Sequence, residues 1–275
     1  MKKNIFILIG LLFIQCELFS QGPNGAGIRP LDTNKYTVLD SANYKFTYEF
    51  TYTPDSTKTN DKLKNELILL VGNNDSKFFS SILSEKPKEV KQTTHSDARA
   101  MQNGSGLNGT EVFKNLKTGQ AIVTTRVFGT LDVFMYNEPI PDFNWVISNE
   151  IEEILSYSCR KATTLFRGRE YEAWFTTDIP LNNGPWKFGG LPGLILRVSD
   201  TNNYFKFECQ SIEMPKEKDA IVKYDWKYVT STSKDVNNLI KNFHHDMKQV
   251  ITSMGMNHIS GELPPFPYNP LEKEY

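Results

Sequence analysis

Aromatic and polar residues alternate without a break from Asn43 to Thr53. Tyr44, Phe46, Tyr48, Phe50 and Tyr52 fall on one side, and Lys45, Thr47, Glu49 and Thr51 on the other. A period of two belongs to a strand half-buried in a sheet. The polar turn at 54–63 and the apolar run at 66–72 make the rest of a hairpin. The aromatic row reads as the core face of a sheet, with the lining of a ligand cavity as the alternative. A strand or other short element is expected at 78–83, and further strands at 111–116, 120–128 and 130–136, the last ended by Pro139 and Pro141. Residues 145–155 set Ile147, Ile151, Ile154 and Leu155 among Glu150, Glu152 and Glu153, which suits either a strand and turn or one turn of helix.

The densest patterning lies between Ser156 and Asp200. Residues 157–166 and 169–176 form a hairpin about Gly168, a residue free to take positive φ. Residues 178–188 carry Pro180, Asn182, Asn183, Gly184 and Pro185 and no period, so they form a loop. Trp186 and Phe188 are too apolar to dangle from it and should pin it to the body. Pro192 followed by Gly193 suits the centre of a type II turn. Strands follow at 194–198 and 204–213, then an irregular stretch at 214–230. Residues 234–254 place Val236, Leu239, Ile240, Phe243, Met247, Val250, Ile251 and Met254 at helical spacing. Thr232 with Asp235 is its N-cap pair, and Gly255 its stop. Residues 87–109 are a polar loop with room for a short helix at 97–101. The pattern predicts a mainly β fold: a curved antiparallel sheet or half-barrel of roughly eight to ten strands, packed around the C-terminal amphipathic helix.

Composition adds boundaries. In 275 residues, 39% hydrophobic, one domain at 41–275 accounts for the patterned part. Residues 1–20 read as a secretory signal peptide: Lys2 and Lys3, an apolar run from Ile5 to Ile14, and cleavage after Ser20. Lipid attachment at Cys16 is the alternative, but Ile14 and Gln15 do not suit it. Residues 21–40 are a flexible lead-in rich in Gly and Pro. No later stretch is apolar enough to span a membrane. The chain is therefore expected to be exported, to the periplasm or the outer membrane. A net charge of −1 gives no basis for nucleic-acid binding.

Cleavage leaves Cys159 and Cys209. An exported pair favours a disulfide over two separate buried thiols. It would close a loop of about 50 residues, on the order of 3–4 kcal/mol by the chain-entropy account.

Catalytic chemistry is not visible. His95, His244, His245 and His258 lack a nucleophile or acid at a telling spacing. No Cys and His spacing suits zinc, and no Gly loop suits phosphate. No metal or cofactor is expected. The ligand-binding candidates are Arg167, Arg169 and Lys187, which could hold an anion, and Trp174, Trp186 and Phe188, which could wall a groove. The competing reading makes the cations solvated and the aromatics loop packing.

The run Gly190-Leu191-Pro192-Gly193-Leu194-Ile195 resembles the signature of the GLPGLI family of secreted bacterial proteins. Cys159-Arg160-Lys161-Ala162, Gly168-Arg169, Ala173-Trp174-Phe175, Ile179-Pro180 and Gly184-Pro185-Trp186-Lys187-Phe188 fit the same resemblance, as does Asn269-Pro270-Leu271-Glu272 near the end. It implies an envelope protein and transfers no catalytic residue. The expectation is thus a non-catalytic binding or carrier module for an apolar small molecule or an envelope protein. A structural role in outer-membrane assembly is the alternative, and a hydrolase the last choice.

Overall fold

The computed structural model describes residues 34–81, 107–126, 132–246, 248–249, 252 and 268–274. The expected signal peptide, the helix at 97–101, His95, His258 and the stop at Gly255 lie outside these residues.

The alternating segments become strands: β1 (Tyr36–Ser41), β2 (Tyr44–Tyr52), β3 (Leu63–Val71), β4 (Asp75–Ser80), β5 (Thr110–Asn115), β6 (Gln120–Arg126) and β7 (Val133–Pro139). Then come β8 (Val146–Ile154), β9 (Tyr157–Phe166), β10 (Arg169–Thr176), β11 (Leu194–Asp200), β12 (Phe205–Glu213), β13 (Ala220–Tyr224) and β14 (Tyr228–Thr230). Among the described residues one 12-stranded sheet runs β14-β7-β6-β5-β4-β3-β2-β12-β11-β10-β9-β8, and β1 pairs with β13 as a separate ribbon. Every neighbouring pair is antiparallel except β14 with β7. The fold is mainly β, as expected, and the sheet is open, with β8 and β14 at its edges. It is larger than expected. The undecided 145–155 is an edge strand on β9, the irregular 214–230 holds β13 and β14, and part of the lead-in is β1.

Phe46, Tyr48, Phe50 and Tyr52 are at most 1% exposed, so the aromatic row is core. The row shares one core cluster with Phe188 of the 178–193 loop. Phe50 stacks on Phe207 of β12 at 4.3 Å, and Phe188 meets Phe207 edge-on at 6.1 Å. The Tyr48 hydroxyl donates to the Ile195 carbonyl at 2.7 Å, which satisfies its one polar atom inside the core. Each such ring contributes about 1.5–3 kcal/mol by burial.

The described helix, α1 (Ser233–His245), starts where expected: the Thr232 hydroxyl accepts from the Asp235 backbone N–H at 3.1 Å. It has a C-cap at Asp246; of the described residues beyond, Lys248, Gln249 and Thr252 are again helical, and α1 lies near β7. On the opposite face of the sheet, Ala42, Ile68, Leu70, Phe79 and Ile221 form a smaller core under the β1–β13 ribbon. Lys77 and Glu111 pair there at 2.6 Å, both nearly sealed from solvent.

Two turns are specific. Arg167 and Gly168 both take positive φ, 44° and 74°, and close the β9–β10 hairpin. The expected type II turn is absent: Gly190 takes φ 84° and Gly193 does not take positive φ. Gly193 is needed for another reason, since a Cβ there would overlap the Thr176 carbonyl.

Candidate functional site

Strand alternation turns Tyr136 and Glu138 of β7 toward the inner core. Three other segments bring charges to meet them: the β9–β10 turn supplies Arg167, the long loop Lys187, and the C-terminal segment Glu272. The Lys187 ammonium lies 2.6 Å from Glu138 and 2.9 Å from Glu272, and donates to the Tyr136 hydroxyl at 3.3 Å. Arg167 donates to Glu272 at 2.5 Å and to Glu138 at 2.9 Å. Two carboxylates and two cations thus balance in a nearly closed space.

Burial alone would push the Glu138 carboxyl up, but Lys187 and Arg167 outweigh it and hold it below the usual carboxylate range. Burial would push the Lys187 ammonium down, yet Glu272, Tyr136 and Glu138 hold it above the ordinary lysine value. Burial raises the Tyr136 hydroxyl. Glu138 is therefore a fixed carboxylate and not a proton donor at neutral pH.

This cluster forms one wall of a pocket of about 70 Å³. Trp186 and Tyr136, each with the Lys187 ammonium over its ring, line it, with Val236, Asn237 and Ile240 of α1 and with Tyr268, Pro270, Leu271 and Glu272 of the C-terminal segment. The loop that carries Trp186 and Lys187 is held from below by Lys114 of β5. Its ammonium donates to the carbonyls of Gly184 at 3.0 Å and Phe188 at 2.8 Å. Burial lowers the Lys114 ammonium to about 7.

The six binding candidates separate. Arg167, Lys187 and Trp186 meet at the cluster. Arg169 lies beside it, wholly buried, paired with Asp200 at 2.8 Å and donating to Asn269 and the Pro270 carbonyl. Phe188 is core, 5.1 Å from Phe143 and 5.3 Å from Trp186. Trp174 lies on the other face of β10, bonded to Glu172 at 2.9 Å, with Lys161 and Arg197 over its ring. The reading of solvated arginines also fails for Arg169. Cys159 and Cys209 stand as free buried thiols where a disulfide was expected. Burial raises them to about 11 and about 12. Among the described residues no group of three or more His, Cys, Asp or Glu could hold a metal.

Sequence reasoning missed Glu138, Tyr136, Lys114 and the role of Glu272. Two signals were available: a Glu and a Lys inside otherwise buried strands, and a short motif near the C-terminus with no hydrophobic pattern to explain it.

No curated protein matches the chain. Two solved structures of PNGF-II, in the P21 and C2 crystal forms, share the fold at TM-scores of 0.51 and 0.50, each 15% identical. They align over 75% and 73% of this chain and over 34% and 33% of their own, so the chain spans about a third of the proteins it matches. The family model described as "N-glycanase peptide, N-terminal domain" matches residues 57–239. That span contains the Gly190–Ile195 run and overturns the assignment to a GLPGLI family. The family takes its name from a glycan-cleaving enzyme, which also overturns the reading as a non-catalytic carrier or assembly protein, with hydrolysis ranked last. With most of its length matched, the chain belongs to the N-glycanase peptide, N-terminal domain family.

Proposed function

We propose that the chain acts in the hydrolytic release of N-linked glycans, and that the pocket beside Lys187 holds part of the glycan or the peptide that bears it. The family match over 57–239 carries this reading; it includes Tyr136, Glu138, Arg167, Trp186 and Lys187. The chemistry of the pocket supports it. Trp186 and Tyr136 give the pocket an aromatic lining, and Asn237, Thr125 and Glu272 offer polar partners for the substituents of a sugar. Glu272 is the carboxylate on the pocket wall, and Lys187 and Arg167 fix its position. The leader at 1–20 supports an exported location.

The test is incubation of the purified chain with a denatured N-glycoprotein, with released glycan read by mass spectrometry. Release by the wild type that falls in Trp186→Ala and Glu272→Gln, both checked for folding, is the expected result. A folded wild type that neither releases glycan nor binds an N-glycopeptide would end the proposal.

A further inference from the structure

Arg126 is the last residue of β6, and the strand's period of two places it on the face that carries Lys77, Glu111 and Thr124. Thr125, one residue back, turns the other way and lines the pocket. On the outer face the Arg126 guanidinium lies 5.0 Å from the centre of the Trp226 ring. Trp226 stacks on Tyr224 at 4.8 Å and lies 6.2 Å from Tyr228, whose hydroxyl donates to the Tyr224 carbonyl at 2.6 Å. β14 begins at Tyr228 and pairs with β7, and β7 pairs with β6, so the sheet itself brings these groups together.

Arg126 stands apart from the other described arginines. Arg167, Arg169 and Arg197 each hold a carboxylate, and Arg160 donates to the Ser148 carbonyl. Among the described residues the Arg126 guanidinium has neither a hydrogen bond nor an ion pair. It is half-buried, and burial lowers it further than Glu111 raises it. Glu111 is not free to serve it: that carboxylate pairs with Lys77 at 2.6 Å and accepts from the Thr124 hydroxyl at 3.2 Å. The cations over the three rings are Lys77, Arg126 and Lys223, and the carboxylates acting on Tyr224 and Tyr228 are Glu111 and Asp225. One positive charge is left over. A half-buried cation with its donors unused is costly, and a planar fork takes two oxygens of one anion side by side. A single surplus charge suits a single negative charge, not the nearly double charge of a phosphate group.

We propose that Arg126, seated on Trp226, binds a singly charged oxyanion carried on a sugar, either a carboxylate or a sulfate ester. The guanidinium fork takes two oxygens of the anion, and the indole holds the fork in place. The sugar as carrier rests on the glycan reading above; the anion site rests on Arg126 and its surroundings. Arg126 and Thr125 face opposite sides of β6, so the site is separate from the pocket.

The test adds sialyllactose, lactose bearing a sulfate ester, or plain lactose to the full purified chain. Binding is read by ligand-observed NMR, which suits affinities on the order of 1 mM. At least one acidic sugar should bind about 10-fold tighter than lactose, and the one that does names the anion. Equal binding of all three, or binding of none, would overturn the site. Arg126→Met should abolish the preference, and an unchanged preference in the folded variant would overturn the assignment to Arg126. Arg126→Lys keeps the charge and loses the fork. It should bind the acidic sugar more weakly than the wild type, and equal affinity would overturn the two-oxygen contact. A short peptide with one Glu that binds as tightly as the better sugar would overturn the sugar as carrier. None of these arms reads glycan release. A chain that prefers the acidic sugar, yet releases no glycan and binds no N-glycopeptide of neutral sugars, refutes the hydrolysis and keeps this site. One that releases glycan and shows no acidic preference does the reverse.

Discussion

Lys187→Met isolates what the charge cluster contributes. The substitution keeps the length of the side chain and removes one charge that lies 2.6 Å from Glu138 and 2.9 Å from Glu272. The two carboxylates, 8% and 5% exposed, are then left to share Arg167. Removing one partner of a buried ion pair costs about 3–5 kcal/mol, because the remaining charge is stranded away from water. Total stabilities run to about 5–15 kcal/mol, so the loss is large, and it corresponds to a fall in Tm of roughly 6–20 °C for a chain of this size. The pH dependence is the sharper part. In the wild type the Glu138 carboxyl is held below its ordinary range, so its contribution is present above the unfolded value of about 4.3 and is lost as pH falls through the folded one. Without Lys187, burial acts on that carboxyl less opposed, and the variant gains relative stability as the carboxyl protonates. The gap between wild type and variant should be widest near neutral pH and narrow in acid. Urea unfolding followed by tryptophan fluorescence reads it directly, since Trp186 is buried beside the cluster. A loss under about 1 kcal/mol at neutral pH would show that the pair only breaks even against its desolvation. A gap unchanged in acid would show that lost packing, not charge, carries the effect.

Other perturbations test the frame around the site. Lys114 has a folded value of about 7 against an unfolded one of about 10.4, so the unfolded chain binds the extra proton between them and stability rises with pH across that window. Lys114→Met should lack this rise, and parallel stability curves for the two proteins from pH 7 to pH 10 would refute it. Gly193→Ala drives a methyl group into the Thr176 carbonyl and should cost at least about 1–3 kcal/mol in chemical denaturation; an unchanged midpoint would show that the β10–β11 connection yields. The thiols of Cys159 and Cys209, raised to about 11 and about 12, should resist thiol reagents in the native protein and react on unfolding. A count of zero after unfolding would restore the disulfide.

What the sequence disclosed was local. Alternation located β2, β10 and β12, because a strand with one face in the core repeats its chemistry every second residue. It was ambiguous for β8. There Ile151 and Val146 stand exposed at the sheet edge, 69% and 68%, so the apolar residues do not mark a buried face. It was silent for β13 and β14, too short to establish a period. The amphipathic pattern of 234–254 identified α1, and the described residues Lys248, Gln249 and Thr252 beyond its cap at Asp246 are helical too. The loop at 178–193 was correctly expected to pack down through Trp186 and Phe188. That Phe188 reaches Phe207 in the main core depends on how the sheet and loop meet.

The site was not visible because its members are remote from one another. Arg167 and Glu272 are separated by 105 residues and Lys187 and Glu272 by 85. No spacing rule spans such distances. The run from Gly190 to Ile195 is conspicuous in sequence for reasons that are mainly geometric. Gly190 supplies a positive φ, Gly193 makes room for the Thr176 carbonyl, and Leu194 and Ile195 enter a fully buried strand. A motif of that kind reports how a backbone must bend, and it does not report what the protein binds. The informative residues for chemistry were the inconspicuous ones. A Glu in a buried strand, a Lys in an aromatic loop and a Glu near the C-terminus each oppose the pattern around them. Each is tolerable only because the others are present. That mutual dependence makes the cluster, and not the glycine-rich run, the place where substitutions should separate function from folding.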